Sequence, residues 1–146
     1  MKRVLLRRRP RLMLGLALAA VLILNAGAAR AFDDEAVRAK LADEHAMCAA
    51  YQYIVLECIG DKRAPLGADA RVKELYRSSA DYNLALASFF SDVRLAALKL
   101  NDHKSEMTAK MSSCADVSLL VGEYEAFCRD MTKDPKKSWA YWKDRK

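Results

Sequence analysis

Apolar side chains recur along this chain at steps of three and four, and the breaks in that rhythm divide it into helices. From position 33 onward, Val37, Leu41, His45, Cys48, Gln52, Val55 and Ile59 fall close to the helical period. Asp33 is placed to cap this segment, with Phe32 stapled onto Val37 and the acids Asp34 and Glu35 in the first turn. Gly60 supplies a stop, and the Pro65 and Gly67 that follow mark a loop.

A second stripe begins near Asp69 and runs through Val72, Leu75, Tyr76, Ser79, Tyr82, Leu86, Phe89, Val93, Ala97 and Leu100. No Gly or Pro interrupts it, so the pattern predicts one helix reaching Asn101-Asp102, where Asp102 can cap the next. The third stripe is Met107, Met111, Cys114, Val117, Val121, Tyr124, Cys128 and Met131, with Ser113 and Asp116 at capping-box spacing as a restart point. Asp134-Pro135 ends it and opens a short terminal helix that carries Trp139 and Trp142. Sustained alternation is absent. The expectation is an all-α fold, an up-down-up bundle of three long helices plus a short C-terminal helix.

Charge changes the picture only after the chain is divided. The 146 residues carry a net charge of +6. All of that excess lies in residues 1–31, which hold Lys2, Arg3, Arg7, Arg8, Arg9, Arg11 and Arg30 and no acid. Residues 32–146 are then nearly neutral, so the basic total is no argument for nucleic acid as a partner. The cations precede an apolar run at 12–24, and Ala29-Arg30-Ala31 offers the small residues that a signal peptidase reads. Residues 1–31 are therefore expected to be a cleavable secretory signal of bacterial type, with 32–146 a single domain in the periplasm or beyond. The alternative is an uncleaved segment anchored in the inner membrane, the one route by which this chain would meet a bilayer.

Four cysteines in the mature part suit an oxidising compartment and two disulfides between helices. Cys48 and Cys58 lie about 15 Å apart along a helix, and Cys114 and Cys128 about 21 Å, so neither pair can bond within its own helix. Three long helices in up-down-up order make the first and third parallel. That order predicts Cys48–Cys114 and Cys58–Cys128, while the crossed pairing would require those helices to be antiparallel.

Three candidate sites follow from residue type. His103, Met107 and Met111 sit at i, i+4 and i+8, a soft donor set suited to Cu(I), with His45 able to complete it across the bundle. The competing reading places both methionines in the core, where Met packs readily. The tail at 133–146 interleaves Trp139, Tyr141 and Trp142 with cations that include Lys136 and Lys137. It reads either as a partner surface or as tryptophans docked on the bundle with lysines in water. Phe89, Phe90 and the methionines suggest a gap that could hold an apolar ligand.

Motifs for phosphate binding, nucleophilic catalysis or zinc hydrolysis are absent, and two histidines leave little acid–base capacity near neutral pH. The sequence thus points to a small exported, non-catalytic helical binding protein without a cofactor, its partner a protein or envelope component. The alternatives are a periplasmic copper-binding protein and a carrier of a small apolar ligand.

Overall fold

A computed structural model describes residues 11–64, 66 and 69–144, with side chains from 34 onward. The chain divides into two compact units, Met1–Glu35 and Ala36–Lys146. In the first, the backbone is helical from Arg11 onward. The expected leader at 1–31, its cleavage after Ala31 and the apolar run at 12–24 lie outside the residues whose side chains are described.

Every regular element among the described residues is helical. They are α1 (Arg11–Cys58), α2 (Ala70–Phe90), α3 (Val93–Ala109), a single 3-10 turn (Cys114–Asp116), α4 (Val117–Lys133) and α5 (Pro135–Asp144). Several boundaries follow the expected chemistry. Gly60, at φ 91°, takes the left-handed conformation just past α1 that only glycine adopts cheaply. Asp69 accepts the Arg71 N–H at the start of α2, Ser113 and Asp116 form a complete capping box, and Asp134 accepts the Lys137 N–H at the start of α5. At the other end of the first segment, α1 passes straight through Asp33 where the sequence predicts a start. The alanines at 26, 28, 29 and 31 favour continuation, and a lone Gly27 costs only about 1 kcal/mol.

The second and third helices differ from expectation. The predicted helix from Asp69 to Leu100 is cut at Ser91 and Asp92. Ser91 leaves helical geometry at φ −127°, ψ −114°, and the Asp92 carboxylate caps α3 by accepting the Leu95 N–H at 2.8 Å. Conversely, α3 continues through Asn101-Asp102 and stops at Ala109, so the third stripe is divided between α3 and α4. The bundle therefore has one more long helix than the three predicted.

That extra reversal overturns the predicted cysteine pairing. The bonds are Cys48–Cys128 and Cys58–Cys114, each with Cα atoms 5.3 Å apart. With a fourth long helix, α4 runs antiparallel to α1, the condition for the crossed connectivity. Cys114, at the head of α4, meets Cys58 at the end of α1. Cys128 then meets Cys48 further back along both helices. The core follows the same line. Tyr51, Ile54, Val55, Met107, Val117 and Leu120 form one buried cluster around the two bonds. Val37, Leu41 and Met131 form a second, covered by Phe90, Trp139 and Trp142.

Candidate functional site

Of the residues predicted as a copper face, His45 stands apart from His103, Met107 and Met111. Met107 is buried in the core of α3, and Met111 lies beyond that helix, in the turn before Cys114. The His103 Nε2 faces Asp43 on α1 at 3.3 Å, beside Lys99, which reaches the same carboxylate oxygen at 2.7 Å. Burial alone would raise the Asp43 pKa, but Lys99 and His103 together hold it below the usual range. His45 stands two residues from Asp43, about 200° around α1, and so points away from His103. Among the described residues no group of three or more His, Cys, Asp or Glu side chains is arranged to hold a metal ion.

His45 belongs instead to a buried polar chain that the sequence did not signal. Its Nδ1 meets the Asn83 Oδ1 at 2.8 Å, which makes that nitrogen the donor and leaves Nε2 bare. Nε2 has no hydrogen-bond partner, and the ring stacks on Phe90 with centroids 5.7 Å apart. Burial lowers the His45 pKa, with the Asn83 bond opposing, so the ring is held neutral. The Asn83 amide N–H groups point at Gln52 Oε1, the Ser79 carbonyl and Thr132 Oγ1, at 2.9–3.1 Å. Thr132 in turn donates to the Cys128 carbonyl at 2.7 Å, so the chain ends at a disulfide. One fully buried asparagine thus ties α1, α2 and α4 together.

A second cluster lies about two turns away along α2 and α4. Tyr51 and Tyr76 both donate to the same Glu125 oxygen, at 2.7 and 3.1 Å. Burial and the neighbouring Tyr76 and Glu125 raise the Tyr51 pKa well above the ordinary phenol value, so the hydroxyl stays a donor. Between these two clusters, α2 and α4 part to leave a groove of about 360 Å³. Gln52 forms its floor, Leu75, Tyr76 and Ser79 one wall, and Glu125, Arg129, Thr132 and Lys133 the other. Its size falls within the range of small-molecule sites, about 300–1,000 Å³. Gln52, Leu75, Tyr76 and Ser79 of this groove stand on the apolar stripes of the sequence. Glu125, Arg129 and Asn83 fell off every apolar stripe and carried no signal.

The aromatic tail docks. Trp139 and Trp142 pack against Val37, Leu41 and Met131, and Trp139 stacks on Phe90 at 6.1 Å. The Trp142 indole N–H donates to Glu44 Oε2 at 2.8 Å, and the Lys40 ammonium sits 5.0 Å above its ring. Burial raises the Glu44 pKa, opposed by Trp142 and Lys40. Lys136, Lys137 and Tyr141 lie on the exposed side of α5. Lys137 and Tyr141 border a second groove, of about 340 Å³, whose other wall includes Phe127 and Asp130. Among the described residues no helix is long and apolar enough to cross a membrane. Two disulfides and no free cysteine are the pattern of an oxidising compartment. No family model, curated protein or solved structure matches the chain.

Proposed function

We propose that this is a small exported, non-catalytic binding protein of the bacterial periplasm, and that its occupant seats in the groove between α2 and α4. The observation that carries this reading is the groove itself. Its floor and walls are fixed by the Asn83 hydrogen bonds and the tyrosine–glutamate cluster, so the shape exists before any ligand arrives. The chemistry is mixed. Leu75 and the Tyr76 ring offer apolar contact, Gln52, Ser79 and Thr132 offer hydrogen bonds, and Arg129 and Lys133 bring two positive charges against the one carboxylate, Glu125, which the Tyr51 and Tyr76 hydroxyls hold.

That combination suits a small amphipathic molecule with an acidic group, which refines the expectation of an apolar ligand. Native mass spectrometry of the protein, expressed as the full chain and released gently from the periplasm, tests it. A reproducible adduct in the wild type that disappears in Ser79→Trp, where the indole fills the groove, is the expected result. Bare protein from both, under conditions that retain weak ligands, would overturn the groove as the binding site.

A further inference from the structure

The helix α2 is turned the unexpected way round. The residues it buries are Ala80, Asn83 and Ala87, two small side chains and an amide. Tyr76, Leu84 and Phe90 pack on the core clusters, but four more of its large apolar residues face outward, with Val72 38% exposed, Leu75 63%, Tyr82 45% and Phe89 71%. Together with the half-buried Ser79 and Leu86, they stand at positions 72, 75, 79, 82, 86 and 89. This is an unbroken 3-4-3-4-3 spacing, the a/d seam of a coiled coil, about 26 Å long. At 100° per residue the seam centres more than a quarter-turn away from the buried face. Leu75 and Ser79 border the groove against α4, while Val72, Tyr82 and Phe89 stay largely open to solvent. The apolar surface it exposes is on the order of 500 Å² per chain, at the upper end of what a monomer carries.

The sequence of the seam says what fits it. When two copies of α2 are laid antiparallel, the six positions pair off without remainder. Val72 meets Phe89 of the other copy, Leu75 meets Leu86, and Ser79 meets Tyr82, each pairing occurring twice about a two-fold axis. Two of the three layers match a small residue with a large one, and the third matches leucine with leucine, as interdigitated layers require. Along one flank Ser78 faces Ala85, small enough for close approach. A parallel arrangement would set Phe89 against Phe89 and Ser79 against Ser79, large on large and small on small.

We infer that this face binds a second copy of the chain, giving a two-fold symmetric dimer through antiparallel α2 helices. The area is adequate. With the flanking side chains, the seam approaches the roughly 800 Å² per partner of a standard stable interface. The interface stands whether or not the groove holds a ligand, although Leu75 and Ser79 belong to both and the second copy would wall the groove on that side.

Sedimentation equilibrium on the oxidised protein, expressed as the full chain, from about 1 µM to 1 mM tests the pairing. The expected result is a reversible monomer–dimer equilibrium. Phe89→Glu and Val72→Lys, both at exposed positions, should each weaken it at least tenfold, since every substitution enters the interface twice. Circular dichroism melts confirm that the variants remain folded. The double variant V72K/F89E should recover most of the loss, because antiparallel pairing brings each new Lys to a new Glu. A monomer throughout would overturn the inference, as would a dimer indifferent to either substitution. Failure of the double variant to recover would overturn the antiparallel register. A monomer that floats with phosphatidylglycerol vesicles in a Phe89-dependent way would assign the seam to a lipid surface instead.

Discussion

Asn83 ties three helices through a buried amide whose partners are in place, while His45 beside it keeps one buried ring nitrogen unpaired, and a buried polar group is costly without its partners. Their arrangement also sets a pH dependence whose sign can be worked out. The His45 pKa in the folded state lies below its ordinary 6.5, because burial disfavours the imidazolium. Above pH 6.5 the ring is neutral in both states and contributes no slope. Below it, the unfolded chain takes up a proton that the native state refuses. Stability therefore falls as pH drops from 6.5 toward the lowered native pKa, by up to ~1.4 kcal/mol per pH unit. Glu44 acts the other way. Its folded pKa is raised above 4.5, so the native state gains relative to the unfolded chain as pH falls through that raised value. Comparing wild type with His45→Gln cancels the Glu44 contribution. In urea titrations across the acidic range the variant should lose the slope that begins just below pH 6.5, while wild type keeps it. Identical slopes would mean that His45 is protonated in the folded protein. The pH sensitivity was not readable beforehand, since a histidine on an apolar stripe looks the same whether its partner is an asparagine, a metal or nothing. Only the contact 38 residues away distinguishes these.

Element by element, the sequence was most legible where a side chain acts on its own backbone. Gly60, Ser113 with Asp116, and Asp134 with Pro135 perform the predicted local roles. It was least legible at Ser91-Asp92, where the break has no glycine or proline. There the apolar rhythm runs on unbroken, from Phe89 to Val93, across a reversal of the chain. The Asp92 cap is the local signal, and it is weaker than the stripe that masks it. The same stripe misled about burial, because helical periodicity shows that a face is apolar without showing whether the bundle covers it. One missed reversal was enough to exchange the disulfides. The Cys58–Cys114 loop spans 56 residues and lies inside the 80 spanned by Cys48–Cys128, a nested arrangement where the predicted one was interlaced. Nesting shortens the chain that each bond closes once the other has formed, so removing either one should cost about 3 kcal/mol. The double variants C48A/C128A and C58A/C114A, melted side by side, should lose similar amounts. Non-reducing peptide mapping of the wild type should recover a fragment joining Cys58 to Cys114. A fragment joining Cys48 to Cys114 would restore the parallel arrangement of α1 and α4.

For the whole molecule, the two bonds link the fold to its compartment. Removing both would cost roughly 7 kcal/mol by the chain-entropy estimate, against about 5–15 kcal/mol for the total stability of an ordinary domain. The apolar clusters are modest. The inner one is built around the cystines themselves, and the outer depends on two tryptophans from a ten-residue helix at the end of the chain. In a reducing cytosol the same sequence would hold thiols where the clusters need a cross-link. This is the physical reason to expect that the cationic and apolar residues at 1–31 direct the chain outward. Expressed whole, the protein should be recovered fully oxidised, with a mass that begins at Phe32. Deletion of residues 2–31 should retain it in the cytosol with four alkylatable thiols, a melting temperature lower by tens of degrees, and rapid loss to proteases. The tail then provides an internal control. Removing residues 135–146 from the exported form uncovers Val37, Leu41 and Phe90 and takes the Trp142 N–H from Glu44, yet leaves both cystines in place. That form should be weakened but still folded, because the cross-links restrict the unfolded chain whatever happens to the outer cluster. If the cytosolic form, thiols free, proved as stable as the exported one, the bonds would be incidental to the fold. The case for an oxidising destination would then rest on the leader alone.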